Sequence, residues 1–238
     1  MSSKMRSLVF AACMCIVCSL LLTTASTGLQ KFQQRNMLLD KKKNLLMAVG
    51  LLDPGTKSNA EAIERIYADN IRTLWADSDG NIIDAAKHGD TDLPIYLYEP
   101  DNKVAAYIVP INSRGLWGRI YGYLALKSDG STVSGFTVYK HSETPGLGGE
   151  IEKRWFQQNW VGKKIVTQEG EFVSVGIAKG KVEGVVPEKK RIHFVDGISG
   201  ATLTGKYLTA GIEKILTKYE PVSIRFRKNV IKVEQKGS

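Results

Sequence analysis

The feature that most constrains this chain is an uncharged apolar run near its amino terminus. Residues 7–30 contain no Asp, Glu, Lys or Arg, and a helix over residues 8–29 would be about 33 Å long at roughly 1.5 Å per residue. That length crosses a bilayer core of about 30 Å. The run therefore predicts a single transmembrane helix at 7–30, preceded by a short tail at 1–6 that carries Lys4 and Arg6.

A cleaved signal peptide is the alternative interpretation of the same run, because Thr23-Thr24-Ala25 is an acceptable cleavage site. The run is long for a signal sequence, however, and sequence of helical character follows it directly. Both points favour a retained anchor. Residues 31–54 are accordingly predicted to form a helical connector that ends at Asp53-Pro54-Gly55.

The three cysteines restrict the chemistry that the chain can support. Cys13, Cys15 and Cys18 all lie in the apolar run, and the rest of the sequence has none. A disulfide framework and a thiolate-bound zinc or iron–sulfur centre are therefore excluded for the remaining domain, and no metal site is predicted. Within the run, the cysteines are interpreted as small apolar side chains.

The formal net charge of +9 favours acidic partners, a phosphorylated cofactor or an anionic membrane surface. The basic residues are scattered in small groups and are not combined with aromatic residues in a nucleic-acid-binding motif. A nucleic-acid partner is therefore not expected, whereas the lipid bilayer is.

Residues 55–238 are predicted to form one domain of the α+β class. The segment 58–61 has a capping-box pattern, and the apolar spacing behind it predicts a helix to Trp75, closed by the polar turn at 77–80. Runs of strands with isolated helices then indicate antiparallel sheets and flanking helices. The predicted strands are 95–98, 104–109, 116–126, 132–139, 164–166 and 173–178, with a turn at 128–130, a loop at 141–149 and a short helix containing Trp155, Phe156 and Trp160.

The four residues Ser199, Gly200, Ala201 and Thr202 are the strongest candidate site. They follow a predicted strand and open a helix that is predicted to run to about Tyr219, before a basic strand or tail. A hydroxyl at a helix amino terminus can meet a large anionic group whose phosphate binds free backbone N–H groups. Ser199 could instead act as a simple N-cap, and for these four residues in isolation the cap is the favoured interpretation.

Three segments, taken in order along the chain, resemble one protein family. Asp196 and the segment 199–202 match the pattern D-x-x-[S/T]-G-A-T, at which flavin transferases attach FMN through its phosphate to the threonine hydroxyl. The segments GLWGRIYGYLAL (115–126) and HSETPGLGGE (141–150) look like two further signatures of the family. Together with the amino-terminal span, they resemble the family of C subunits of the sodium-translocating NADH:quinone oxidoreductase over essentially the whole chain.

The resemblance implies a membrane-anchored, extracytoplasmic domain that carries FMN on Thr202 through a phosphoester. Such a domain relays electrons between redox centres of partner subunits. Ser199, Gly200 and Ala201 would form the backbone approach to the phosphate, and Asp196 would be part of what the flavin transferase recognises. No catalytic residue is implied, because the isoalloxazine chemistry belongs to the cofactor.

The resemblance also implies that residues Glu143, Thr144, Gly146 and Leu147 belong to a flavin-contacting loop. Glycine allows close backbone approach, and Leu147 offers an apolar surface. Taken alone, the same residues would be interpreted as an ordinary Pro-Gly turn.

The chain departs from the family pattern in two places. Gly205, followed by Lys206, stands where the family commonly has serine, and the segment 112–114 lacks an expected glycine. These departures concern the shape of the pocket. Thr204 is a rival hydroxyl for attachment, but the pattern favours Thr202.

Several nearby residues have more than one interpretation. Trp117 and Tyr121 could pack near the flavin ring or in the core, and Lys206 could pair with the phosphate or point into solvent. His141 and His193 are interpreted as hydrogen-bonded structural residues, because electron relay requires no acid/base catalyst.

The implied location is the cell inner membrane, with a single pass and the C-terminal domain on the periplasmic side. The implied partners are the other subunits of the complex, which as a whole uses NADH and ubiquinone. Counting charges would instead place the C-terminal side in the cytoplasm, because the span is followed by Lys31, Arg35 and Lys41 to Lys43 and preceded by fewer positive charges. Large domains translocate largely regardless of such charges, however.

Three alternatives stay open at this point. The chain could be the flavin subunit of an Rnf-type ferredoxin-linked complex, a flavin-free single-span binding module or a secreted, cleaved protein. The segment 115–126 favours the sodium pump over the Rnf type. The span contains no acidic residue, so sodium conduction through this chain is not predicted.

Overall fold

A computed structural model describes residues 2–53, 55, 58–84 and 86–231 of the chain. The chain divides into two compact units, residues 1–40 and residues 41–238. The first unit is helical from residue 3 onward and belongs to α1 (Ser3–Ala48), which is long and apolar enough to cross a membrane, with a mean hydropathy of 2.4 in its most apolar window. A signal sequence meets the same criterion of length and composition.

Helix α1 ends before the segment 53–55 that was predicted to stop it, of which Pro54 lies outside the described residues. Gly50 has a φ of +76°, and the N–H of Leu51 bonds to the carbonyl of Leu46 at 2.9 Å. Glycine enters this left-handed conformation without a Cβ clash, and the turn satisfies one of the last helix carbonyls.

The second helix is shorter than the apolar spacing predicted. Helix α2 (Ala60–Asn70) begins after Asn59, whose side chain, rather than that of Ser58, accepts a hydrogen bond from the first turn at 2.8 Å. The predicted continuation to Trp75 is wrong, because Ile71–Ala76 forms strand β1. Strand β1 pairs with β3 along its whole length, and such pairing outweighs a local helical pattern.

Six antiparallel strands form the main sheet in the order β2-β1-β3-β4-β5-β6. The predicted turn at 128–130 joins β5 to β6, and the Gly130 N–H bonds there to the Lys127 carbonyl at 3.0 Å. An antiparallel sheet with separate helices confirms the predicted α+β class. The strands after β1 are β2 (Ile82–Ile83), β3 (Leu93–Tyr98), β4 (Ala106–Arg114), β5 (Arg119–Lys127) and β6 (Val133–Lys140).

The elements that follow the main sheet are short. The strand predicted at 164–166 is present only as isolated bridges, and the one predicted at 173–178 is reduced to two residues. Strands β7 and β8 form a small parallel sheet. The elements are α3 (Arg154–Gln158), β7 (Gly176–Ile177), α4 (Val182–Val185) and β8 (Phe194–Val195), with 3-10 turns at Pro100–Asn102, Gly148–Glu152 and Glu188–His193.

The last helix, α5 (Thr202–Arg227), packs on one face of the main sheet. It was predicted to end near Tyr219, with a strand or tail beyond, but it continues through Pro221. Tyr107 of β4 stacks on Phe226 with ring centroids 4.3 Å apart, so packing on the sheet holds the helix together beyond the proline. The basic tail beyond residue 231 lies outside the described residues.

The opposite face of the sheet is covered by the start of the second unit. Thr137 on β6 donates a hydrogen bond to the carbonyl of Asn44 at 3.1 Å. Gly135 lies so close to Ala48 that an added Cβ would be 2.0 Å from the Ala48 carbonyl oxygen. The central parts of β4, β5 and β6 are thus buried on both faces. The β4–β5 connection, the loop after β6 and the start of α5 meet beside it.

Candidate functional site

Thr202 is the first residue of α5, and its side chain is exposed. The N-cap residue is Ala201, and no side chain caps the helix. The first backbone N–H groups of any helix have no intrahelical acceptor, and they lie at the positive end of the helix dipole. Without a side-chain cap, these groups stay available to a ligand. The simple cap interpretation of Ser199 is wrong, because this exposed residue lies before the N-cap and does not bond to the helix start.

Gly200 shapes the turn that leads into α5. Its φ is +73°, a conformation that L side chains rarely adopt. An added Cβ at this position would also lie 2.7 Å from Cδ2 of Leu147. The turn before Thr202 and the loop 141–149 are therefore packed together at a residue whose conformation favours glycine.

A cleft of about 310 Å³ opens beside Thr202. It brings together residues from the β4–β5 connection, the loop 141–149 and the start of α5. Its rim is apolar and open to solvent, since the side chains of Leu116, Trp117, Leu147 and Leu203 are 41%, 69%, 43% and 47% exposed. Such an apolar concave site suits a planar aromatic ligand. The lining residues are Leu116, Trp117, Glu143, Thr144, Leu147, Gly148, Gly200, Ala201, Thr202, Leu203 and Thr204.

Glu143 and Thr204 form the buried part of this cleft. Oε1 of Glu143 accepts a hydrogen bond from the Trp117 N–H at 3.0 Å, and Oε2 accepts one from the Thr204 hydroxyl at 2.5 Å. Thr204 is 1% exposed and Glu143 is 5% exposed. The rival hydroxyl of Thr204 is thus engaged and enclosed, whereas that of Thr202 faces solvent.

A second cavity, of about 200 Å³, also touches Thr202. Lys206, one helical turn after Thr202, lines this cavity together with Lys179, and most of the remaining wall is apolar, including Ile177 and Ile198. Two cationic side chains therefore stand near the uncapped helix start. Pairing of Lys206 with a phosphate stays a prediction.

Asp196 has a local structural role that the sequence pattern did not indicate. Its carboxylate accepts hydrogen bonds from Nζ of Lys181 at 2.7 Å and from the N–H of Val182 at 2.8 Å. Burial alone would raise the pKa of Asp196, but these hydrogen bonds and the charge of Lys181 outweigh it and lower the pKa. The residue ties the segment before Thr202 to the start of α4.

The remaining predicted loop residues differ in their positions. The carbonyl of Thr144 accepts the N–H groups of Leu147 and Gly149 at 3.1 and 2.9 Å, which closes the turn beside the cleft. Gly146 has a φ of +75° and lies in the turn, but it does not line the cleft. Its role is therefore the shape of the loop.

Of the two aromatic candidates, one lines the cleft and the other does not, and both histidine candidates have structural hydrogen bonds. Trp117 is at the rim of the cleft and not in the core, whereas Tyr121 packs against Tyr139 at 6.3 Å between ring centroids and lines neither cavity. Nδ1 of His141 accepts the Glu143 N–H at 3.1 Å, and Nδ1 of His193 lies 2.7 Å from the Lys164 carbonyl. Both histidines are hydrogen-bonded, as the sequence predicted.

Sequence reasoning missed Leu116, Leu203 and Lys179 as site residues. Leu116 was assigned to a strand, but it lies in the β4–β5 connection before β5 begins. Leu203 and Lys179 are ordinary residues of a helix and a loop, and only their nearness to the candidate turn could have indicated them. No group of three or more His, Cys, Asp and Glu side chains that could hold a metal ion occurs in the described part of the chain.

The chain that forms this cleft is similar to known proteins. Residues 115–217 match the FMN-binding domain family. The C subunit of the Na(+)-translocating NADH-quinone reductase of Pseudomonas aeruginosa is 34% identical, over 90% of this chain and 90% of the relative. The chain belongs to the family of C subunits of this reductase. The corresponding protein from Yersinia pestis is 32% identical, over 84% of this chain and 83% of the relative.

A solved structure agrees with the family assignment. The crystal structure of the C subunit of the Na(+)-translocating NADH-quinone reductase from Parabacteroides distasonis has a TM-score of 0.69 and 29% identity to this chain, and the match covers 82% of this chain and 96% of the other. The family is that of one subunit of an oxidoreductase complex. All three elements of the cleft, including the loop 141–149, lie within the residues that match the FMN-binding domain.

Proposed function

We propose that this chain is the electron-relay subunit of a membrane-bound, sodium-translocating NADH:quinone oxidoreductase and carries FMN on Thr202 through a phosphoester. The observation that carries the proposal is the contrast between two threonines of α5. Thr202 presents an exposed hydroxyl at an uncapped helix start that opens on two cavities, whereas Thr204 is buried and bonded to Glu143.

The residues around Thr202 fit a phosphate. The uncapped N–H groups at the start of α5 are donors for its oxygens, and the helix dipole favours its negative charge. Lys206 and Lys179 supply cations at the adjoining cavity. Attachment forms a bond between Oγ1 of Thr202 and the FMN phosphorus, breaks the bond from phosphorus to the leaving group of the flavin donor, and releases the hydroxyl proton to that group.

The cleft fits the rest of the flavin. Trp117, Leu147 and Leu203 supply apolar surface beside the attachment residue, and Thr144 closes the loop that carries Leu147. When bound, FMN supplies electron transfer one electron at a time. The chain itself binds and orients the cofactor, and no acid/base residue is assigned to it.

The remaining parts of the proposal concern the setting of the chain. Helix α1 anchors the chain in the inner membrane, and the second unit lies on the periplasmic side. The other subunits of the complex are the electron-transfer partners, and a flavin transferase is the partner during maturation. The apolar amino-terminal helix supports a membrane anchor, and the names of the relatives support a place in the reductase complex.

Mass spectrometry tests the attachment. The full-length chain is purified from membranes of cells that contain an active flavin transferase, and its intact mass and peptides are measured. We expect an addition equal to FMN minus one water on the peptide that contains Thr202. The Thr202→Val variant should lose the addition completely, and the matched Thr204→Val variant should still show it on Thr202 in a measurable fraction of the chains. An unmodified wild-type peptide, or an addition that persists in Thr202→Val, contradicts the proposal.

Reconstitution tests the partners. Complexes that lack their own C subunit should recover electron transfer from NADH to quinone when this chain is supplied, and the Thr202→Val variant should fail to restore it. Recovery of a ferredoxin-linked complex instead would assign the chain to the Rnf type.

A further inference from the structure

Glu143 joins three segments of the chain that are far apart in sequence. Its two carboxylate oxygens accept one hydrogen bond from the Trp117 N–H in the β4–β5 connection and one from the Thr204 hydroxyl in the first turn of α5. Its own N–H donates to His141. The carboxylate therefore connects one wall of the cleft to the helix that begins with Thr202.

The backbone closes around this carboxylate on two sides. An added Cβ at Gly115 would lie 2.4 Å from Oε1, and one at Gly148 would lie 2.7 Å from Oε2. With 5% of its surface exposed, Glu143 is almost removed from solvent. A charge in such a position is screened much less than one at the surface.

Both oxygens of the carboxylate accept hydrogen bonds, one from the backbone N–H of Trp117 and one from the hydroxyl of Thr204. Among the described residues, no lysine, arginine or histidine side chain forms an ion pair with Glu143. The hydrogen bonds described for this carboxylate thus come from two neutral donors, and Glu143 lies in the lining of the cleft that Thr202 shares.

We propose that Glu143 is a positioning residue of the flavin site and that its charge makes the reduction potential of the bound flavin more negative. The inference rests on the proposed function. Each electron that enters the flavin from a reduced partner adds one negative charge to the ring unless a proton follows. A fixed carboxylate in a poorly screened cleft disfavours that added charge, so it disfavours reduction.

Two substitutions separate charge from position. Glu143→Gln keeps the length of the side chain and one acceptor but removes the charge. Glu143→Asp keeps the charge but shortens the reach to Trp117 and Thr204. The matched control is Glu213→Gln, which removes an equal charge from an exposed position further along α5.

The measurement is a redox titration of the flavin absorbance in the full-length, flavin-loaded chain, with dithionite as reductant and mediating dyes. The midpoint potential of Glu143→Gln should shift to a more positive value, and that of Glu213→Gln should stay at the wild-type value. Glu143→Asp should keep a midpoint near that of the wild type while its flavin loading falls. An unchanged midpoint in a loaded Glu143→Gln chain overturns the inference and leaves the proposed function intact.

A second variant tests the inference if the Glu143→Gln chain does not fold or does not acquire flavin. Thr204→Val removes one of the two donors and leaves the carboxylate less balanced, so the midpoint should shift in the opposite direction, to a more negative value. A wild-type midpoint in loaded Thr204→Val then overturns the inference. A wild-type chain that never acquires flavin refutes the proposed function itself.

Discussion

At Gly200, the backbone conformation and the packing of the cleft both favour a residue without a side chain. Because its φ is +73° and an added Cβ would approach Leu147 to 2.7 Å, we expect Gly200→Ala to lower the free energy of unfolding by about 1–2 kcal/mol and to reduce flavin loading. Chemical unfolding of the detergent-purified chain measures the first effect, and flavin fluorescence of the denatured protein band measures the second.

Gly162 provides the matched control, since its φ is +82° and nothing lies within 4 Å of an added Cβ. Gly162→Ala should therefore show a similar loss of stability through backbone strain alone, with wild-type flavin loading. Equal loading in the two variants would show that the contact with Leu147 does not matter for the site.

Asp196 gives a dependence on pH with a defined direction. Its pKa is lowered below the ordinary value of 3.8 by Lys181 and the Val182 N–H, in spite of burial, so its contribution is present above that value and is lost as the pH falls through the lowered pKa. Asp196→Asn should cost about 1 kcal/mol at pH 7, and its unfolding free energy should converge with that of the wild type as the solution is acidified toward pH 3 and below. A constant difference across urea titrations at pH 7, 5 and 3 would contradict this role.

The residues of the site were predictable only as far as local pattern reaches. The turn 199–202 and the loop 141–149 were identified because, in their order along the chain, they resemble short segments of one protein family; taken alone, they suggested a helix cap and an ordinary turn. The bonds from Glu143 to Thr204 and to Trp117 span 61 and 26 residues. No local pattern specifies such contacts, because they depend on how the sheet folds.

Among the elements, α5 shows packing that outweighs a helix breaker. Phe226 is 6% exposed beyond Pro221, whereas Ile224 in the same turn is 38% exposed. Phe226→Ala should cost about 3–5 kcal/mol, and the matched Ile224→Ala about 0.5 kcal/mol, in urea unfolding of the full-length chain. Similar costs for both variants would mean that the end of α5 is not anchored on β4.

Two element boundaries resisted prediction for a related reason. The apolar residues of α2 and β1 keep a spacing that suits one helix. As a strand, however, residues 71–76 form backbone hydrogen bonds to β3, which they could not form as part of a helix. Helix α5 was predicted to end near Tyr219, but the stacking of Phe226 on Tyr107 and the hydrogen bond between Tyr107 and Ser223 hold its last turns on the sheet. In both places the deciding energy comes from residues that are distant in sequence.

At the scale of the whole molecule, the proposed periplasmic position of the second unit can be tested with a single thiol. All cysteines lie in the apolar run, so a variant with Ala at Cys13, Cys15 and Cys18 offers a clean background for one new cysteine. With Lys189→Cys, an exposed position, a membrane-impermeant maleimide should label intact cells with a permeabilised outer membrane as completely as lysed cells.

A second thiol at the opposite end of α1 provides the control. Ser2→Cys should be labelled only after lysis, because it is expected on the cytoplasmic side. The reverse pattern, with Lys189→Cys protected in intact cells, would place the second unit in the cytoplasm, as simple charge counting suggests.

The exposure of Thr202 also bears on the order of events in maturation. The sheet and α5 bury the interior of the domain, and the threonine hydroxyl stays at the surface once they have packed. With Thr202 as the attachment residue, a transferase can read the finished turn on an already folded domain. Attachment at this residue would then require no unfolding of the packed domain.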